Sequence, residues 1–207
     1  MVLFAPRFLE THAGSSILTQ PITALIELVA NAWDAGATRV DITWPSRRDG
    51  RLFSLVDNGH GMTAEQFQRR WLMLAYDRSQ EQGDCVEVPT PDGGTTTRIA
   101  FGRNGIGRHG AFAFGSSYVL TTWREGTKHS YRISLGKTTP LEVVNLGSGS
   151  ATGHGTSISS EIGKARFTLV TADAARRELG MRFLVDPQFA VFVDGVQVGI
   201  DDIPAEQ

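Results

Sequence analysis

The chain has 207 residues and a mass of 22.5 kDa, 41% apolar and 20% charged, which is folded-domain composition and excludes a disordered polymer. Its 20 Lys and Arg against 22 Asp and Glu give a net charge of −2 and a pI near 6.2, which excludes a free-standing basic nucleic-acid module, whose pI would exceed about 9. A single cysteine, Cys85, excludes an internal disulfide and suits a reducing cytoplasm, no stretch reaches the roughly 18 apolar residues of a membrane helix, and residues 1–16 lack the basic start and long apolar core of a signal peptide.

In chain order, residues 1–20 read as an N-terminal arm of weak periodicity and residues 21–207 as one domain. Pro21 suits the first turn of a helix, with Thr19 as its N-cap. Residues 21–35 place apolar side chains at a helical period. Strands follow at 39–44 and 51–56 around a turn at 45–50. The second strand runs into Asp57-Asn58-Gly59-His60-Gly61-Met62. Thr63 and Gln66 form a capping box for a helix over about 64–76. In residues 78–97 only Cys85, Val86 and Val88 are apolar. That predicts a long loop, either a lid or an unstructured segment. Residues 102–115 form a glycine-rich turn feeding a short helix. Strands are predicted at 117–123, 129–135 and 141–146, then a flexible loop at 147–155 and a strand at 156–162. A helix over 169–184 turns Arg176, Arg177 and Glu178 outward, and Asp194-Gly195 closes a hairpin over 190–199. This order predicts an α+β fold, a two-layer sandwich whose mixed, mostly antiparallel sheet is covered by helices on one face.

The first long helix carries a polar stripe. With Glu27 at 0° and about 100° per residue, Asn31 falls near 40° and Asp34 near −20°, while Ile22, Leu25, Ile26, Leu28, Val29, Ala32 and Trp33 fill the far side. A solvated face is the bland explanation. Against it, Thr23, Ala24 and Ala30 flank the stripe where an exposed face would carry Lys or Arg, and Asn is a mediocre helix former. An amide oxygen beside carboxylates is a donor set that Mg²⁺ accepts.

Three glycine-bearing loops follow. Asp57 ends a strand and is backed by Gly59 and Gly61, so a flat ring can approach the backbone and its exocyclic amine can meet the carboxylate. Ordinary turn chemistry also explains Asp-Asn-Gly. Gly102-Arg103-Asn104-Gly105-Ile106-Gly107, followed by Arg108-His109, opens a helix. Bare amides at such a start bind phosphate. The loop lacks the Gly-Lys-Ser/Thr ending of a Walker A sequence and has no βαβ unit around it. Gly155-Thr156 leads into a strand. Trp33, Trp71, Phe112 and Phe114 read as core, and Arg47-Arg48 and Arg69-Arg70 as solvated charge. The histidines at 12, 60, 109, 129 and 154 are scattered, without zinc spacing.

Taken in order, Glu27-x-x-x-Asn31-x-x-Asp34-Ala35-Gly36-Ala37-Thr38, Asp57-x-Gly59-x-Gly61, Gly102-x-x-Gly105-x-Gly107 and Gly155-Thr156 resemble the GHKL ATPases: gyrase B subunits, 90-kDa chaperones, histidine-kinase catalytic domains and MutL. The motifs span residues 27–156. The stretch ELVANAWDAGATRVDI is most similar to MutL, whereas GRNGIGRHGAFAFG is more similar to the chaperones and to bacterial MORC-like ATPases. The resemblance implies a Bergerat fold that binds ATP with Mg²⁺ between its helices and a lid of about residues 75–102. It implies Glu27 as general base, Asn31 as the Mg²⁺ ligand, and Asp34 as the N-box acid, structural in role. It also implies Asp57 as adenine acceptor, with Gly59, Gly61, Met62 and Thr156 around the base. Gly102, Arg103, Asn104, Gly105, Ile106 and Gly107 would wrap the phosphates.

The expected activity is slow ATP hydrolysis coupled to lid closure and a conformational or homodimerisation switch. In gyrase B, the chaperones and MutL a second domain supplies a cation to the γ-phosphate. Here a transducer-type domain or a partner protein would supply it; within this sequence Lys137 and Lys164 are the candidates, with no motif tying them to the phosphate. A nucleic-acid partner rests on the resemblance alone. The alternatives are a histidine-kinase catalytic domain and a non-hydrolysing ATP sensor.

Overall fold

The structure, a computed structural model, describes residues 15–73, 81–90, 92–101 and 107–203. A short helix, α1 (Ser15–Thr19), leads into α2 (Pro21–Asp34). Thr19 belongs to α1, so the extended residue ahead of α2 is Gln20, whose side chain makes no capping bond. Pro21 takes the first turn, where its missing N–H costs nothing. At the other end, Gly36 (φ 72°) reverses the chain. Gly36 N–H donates to Trp33 O and Ala37 N–H to Ala32 O, both at 3.1 Å, the paired bonds of a Schellman stop.

The strands are β1 (Arg39–Thr43), β2 (Ser54–Asp57), β3 (Cys85–Pro89), β4 (Thr95–Ile99), β5 (Ser117–Arg124), β6 (Thr127–Leu135), β7 (Leu141–Ser150), β8 (Gly155–Ser160), β9 (Ala190–Val193) and β10 (Val196–Gln197). Eight form one sheet in the order β10-β9-β1-β2-β8-β5-β6-β7. Every pairing in it is antiparallel except β1 with β9. Along the strands Val40, Ile42, Leu55, Leu120, Ile158, Val191 and Val193 are buried, and they alternate with the more exposed Arg39, Asp41, Val56, Thr121 and Ser157. The buried face shares one core with Leu25, Leu28, Val29 and Trp33 of α2 and with Leu179 and Phe183 of α4 (Ala172–Phe183). Full burial of such a side chain stabilises the fold by about 1.5–3 kcal/mol. This is the sandwich expected from the order of elements.

Four local expectations change. The Thr63–Gln66 capping box forms and starts α3 (Ala64–Gln66). The helix then widens into a π turn over Phe67–Trp71, closed by Leu72 N–H to Phe67 O at 3.2 Å. The wider turn brings two rings inside: Phe67 stacks on Tyr131 at 3.8 Å, and Trp71 Nε1 donates to the buried Tyr118 hydroxyl at 3.1 Å. Within 78–97, the segments on either side of Thr90 and Gly94 pair as the β3–β4 hairpin, because Val86 and Val88 alternate inward against exposed Cys85 and Glu87. Strand β7 continues to Ser150, through the first four residues of the expected 147–155 loop. On α4, Arg176 is tied to Asp173 and to Asp202 rather than facing solvent. A 3-10 helix over Gly107–Phe114 follows the glycine loop and packs along α2, with Gly110 against the Ala24 carbonyl. Asp194 (φ 51°) and Gly195 (φ 80°) make the turn between β9 and β10.

Candidate active site

Helix α2 presents Glu27, Asn31 and Asp34 on one edge, between the buried Ala24 and Ala30, and each is only half-buried. Glu27 lies against the start of the 3-10 helix so closely that a Cβ on Gly107 would sit 2.0 Å from Oε2. Burial, and then the nearby Asp34 charge, raise the Glu27 pKa above the ordinary 4.5. One turn on, the Asn31 side-chain amide has a buried Nδ2 without a hydrogen-bond partner among the described residues. Unpaired buried polar atoms are rare, and a bound water, ion or ligand is one reason for them. Asp34 Oδ1 accepts the Phe101 N–H at 2.7 Å. The stripe therefore holds the backbone at 101 and packs against Gly107. Gly102, Arg103, Asn104, Gly105 and Ile106, the rest of the phosphate-loop candidates, lie outside the described residues.

The second half of the site is a row across three adjacent strands. Asp57 on β2 faces Thr156 on β8, which faces Thr122 on β5, and all three are buried. The Asp57 carboxylate accepts Gly59 N–H at Oδ1, 2.9 Å away. Burial pushes its pKa up from 3.8 to about 7, against backbone hydrogen bonds from Gly59 and Thr156 and the His154 charge, which favour ionisation. Gly61 (φ 61°) passes so tightly over β5 that a Cβ would meet the Trp123 carbonyl at 2.1 Å. Met62 N–H donates to Thr122 Oγ1 at 2.7 Å.

Four supporting residues were not singled out for the site from the sequence. Thr122 gave no signal beyond strand alternation. Asn58 Oδ1 accepts the N–H groups of Thr38 and Arg39, both at 2.9 Å, and its Nδ2 donates to Thr38 Oγ1; these bonds tie the end of the Asp34–Thr38 motif to the Asp57 turn. His154 Nδ1 bonds to Gly59 O at 2.7 Å. Arg98 on β4 donates to the Trp33 and Ala37 carbonyls at the end of α2.

Among the described residues no cluster of three or more His, Cys, Asp or Glu could hold a metal. The unpartnered Nδ2 of Asn31 is a donor, suited to an anionic oxygen and not to a cation; an ion that arrives on a triphosphate and takes one protein ligand, as Mg²⁺ commonly does, would be held by the side-chain oxygen of Asn31.

This sandwich, a mixed and mostly antiparallel sheet packed against helices, is the fold of an ATP-binding domain of the GHKL type. The family described as "Histidine kinase-, DNA gyrase B-, and HSP90-like ATPase" matches residues 19–159, and the chain belongs to it. It is a GHKL-type domain of a family that binds ATP and, as a class, hydrolyses it. Over 209 aligned residues it is 24% identical to the "Putative type II restriction enzyme HgiDII" of Herpetosiphon aurantiacus, covering 92% of this chain and 31% of that protein. It is similar to the DNA mismatch repair protein MutL of Xylella fastidiosa, 40% identical over 78 residues, which is 38% of this chain and 12% of MutL. The MutL of Heliobacterium modesticaldum is 29% identical over 143 residues, 66% of this chain and 20% of that protein. The chain spans less than a third of the length of these relatives. No helix among the described residues is long and apolar enough to cross a membrane.

Proposed function

We propose that the chain binds Mg-ATP and hydrolyses it slowly to ADP and phosphate. The observation that carries this is the pairing on one helix edge of a desolvated carboxylate, Glu27, with an unsatisfied buried amide, Asn31. Glu27 takes a proton from the attacking water as its oxygen bonds to the γ-phosphorus and the bridge to the β-phosphate breaks. A raised pKa makes Glu27 a stronger base than an exposed carboxylate, and general-base help of this kind is worth about 10²–10⁴ in rate. Asn31 holds the Mg²⁺ that, when bound, offsets triphosphate charge. Asp57 accepts the exocyclic amine of adenine in the row with Thr156 and Thr122, beneath Gly59, Gly61 and Met62. The glycines of 102–107 wrap the phosphates.

Lid closure over 75–102, an ATP-dependent homodimer and a cation from a transducer-type domain or partner belong to the same proposal. So does the MORC-like branch, and so does residence in the cytoplasm. Because the names of both kinds of relative concern DNA, we extend the proposal to a larger DNA-processing protein. Phosphate release measured with and without duplex DNA tests that extension, and an unchanged rate counts against it. The central test is titration with Mg-ATP followed by phosphate release. Binding lost only when Asn31 or Asp57 is replaced, and turnover lost with Glu27, is the expected result. A folded chain that binds no adenine nucleotide overturns the proposal. Binding without any release favours the sensor, and phosphate passed to a histidine favours the kinase.

A further inference from the structure

Gly59 is held on three sides. Its N–H donates to Asp57 Oδ1 at 2.9 Å. Its carbonyl bonds to His154 Nδ1 at 2.7 Å. The N–H at the other end of that same peptide, on His60, donates to Ala35 O, also at 2.7 Å. A Cβ on Gly59 would lie 2.8 Å from the Ala35 carbonyl, so α2 already presses on this turn. His154 closes the opposite side from the segment just ahead of β8 and is itself largely exposed. A carbonyl oxygen only accepts, so His154 Nδ1 carries a proton, in the neutral ring and in the imidazolium alike.

These contacts set what Asp57 offers to a ligand. The Gly59 N–H pointing at Oδ1 favours the ionised carboxylate, which accepts hydrogen bonds and repels a carbonyl oxygen. If the Gly59 peptide turns away, the buried carboxyl loses a donor and takes up a proton more readily. A protonated carboxyl can donate, and it then tolerates an oxygen where the amine should be. We infer that His154 is a positioning residue which, by clamping Gly59 and through it Asp57, makes the site prefer a 6-amino purine over a 6-oxo purine. This rests on the proposed role of Asp57 as the acceptor of the base's exocyclic amine. The direction of the Asp57 pKa agrees, since the Gly59 hydrogen bond and the His154 charge both lower it against the effect of burial.

The test is the ratio of dissociation constants for ITP and ATP, each with Mg²⁺, on the full chain and on two variants. His154→Phe keeps a ring and removes the donor. His154→Asn restores an N–H close to the place of Nδ1. The unaltered chain prefers ATP. His154→Phe narrows the preference by roughly three- to tenfold, the worth of one hydrogen bond, and His154→Asn returns most of it. A merely structural residue would weaken both nucleotides together and leave the ratio alone, and that result overturns the inference. If His154→Phe does not fold, His154→Asn decides: a folded His154→Asn that no longer prefers ATP contradicts the clamp, and one that retains the preference supports it. If the unaltered chain itself binds ATP and ITP equally, the Asp57 assignment fails first.

Discussion

Arg98 places its guanidinium 4.2 Å from the centroid of the Trp33 ring and donates to the Trp33 carbonyl, while Trp33 Nε1 donates to Ile99 O at 2.9 Å. The exchange locks β4 onto the C-terminal end of α2. A cation is favoured there, at the negative end of the helix dipole. The β3–β4 hairpin lies inside the segment expected to act as the lid, yet its inner strand is fastened to the helix that carries Glu27 and Asn31. We expect the hairpin to stay with α2 while ATP is bound.

Arg98→Ala therefore costs stability and loosens the hairpin. The change takes the guanidinium from the Ala37 carbonyl, leaves the Trp33 carbonyl with the Gly36 N–H alone, and leaves Asp186 without its ion pair, a loss of about 2–3 kcal/mol. Arg98→Lys does not recover it, because one ammonium cannot reproduce the planar fork. Denaturant unfolding and amide hydrogen exchange across β3 and β4 measure both effects. Unaltered exchange there would show that the hairpin is held by something else.

Glu27→Gln keeps ATP affinity and lowers turnover by about 10²–10⁴. In the unaltered chain the base must be ionised, so turnover falls as pH drops through a value above the ordinary 4.5 of a glutamate. A pH–rate profile flat down to 4.5, or Glu27→Gln turning over normally, removes Glu27 from the base role.

Asp57→Asn weakens ATP binding on the order of tenfold or more but stabilises the empty chain at neutral pH. The native state holds the Asp57 proton more tightly than the unfolded chain does. That contribution to stability is complete below 3.8 and is lost as pH rises through about 7. Asparagine has no such loss. The melting-temperature gap between variant and parent thus widens from about pH 4 to about pH 7 and then levels off. The gap reaches on the order of 2–4 kcal/mol, with each kcal/mol worth about 2–4 °C in a chain of this size. A gap that does not change with pH would mean that Asp57 is not a buried titrating group.

Gly107→Ala tests how Glu27 is placed. The added methyl would lie 2.0 Å from Glu27 Oε2 and 2.8 Å from its Cβ; the carboxylate can swing aside, but the Cβ moves only with α2. Turnover falls at least tenfold, since a misplacement of about 1 Å can cost 10²-fold, and the melting temperature falls as well. Unchanged turnover by the folded variant would show that the fit of Glu27 against Gly107 does not set the base.

The sandwich was legible because α2 and the inner strands keep clean periods of burial, and because Gly36, the Thr63–Gln66 box and Asp194-Gly195 are strong stop and turn signals. Glu27, Asn31 and Asp34 stood out as polar groups without the lysines of an exposed face, whereas Asp57 showed only as a strand-end carboxylate backed by Gly59 and Gly61, which ordinary turn chemistry also explains. The hairpin was not legible, since only Val86 and Val88 show its alternation amid residues chosen for solubility. The π turn was hidden because its cause, the pull of Tyr131 and Tyr118 on Phe67 and Trp71, comes from strands far along the chain. Arg98 and His154 act through backbone carbonyls, and no local pattern marks which carbonyl a side chain will reach.

The one parallel pairing of the sheet bears on where this polypeptide can be cut. The family-like segment stops at residue 159, but β1 meets β9 from 190–193 along its whole far edge, and Trp33 packs on Phe183 and Phe189. An expression boundary drawn at 159 would strip that edge bare and uncover an aromatic underside, a recipe for inclusion bodies; one drawn beyond Asp202, which anchors Arg176, keeps the ribbon closed.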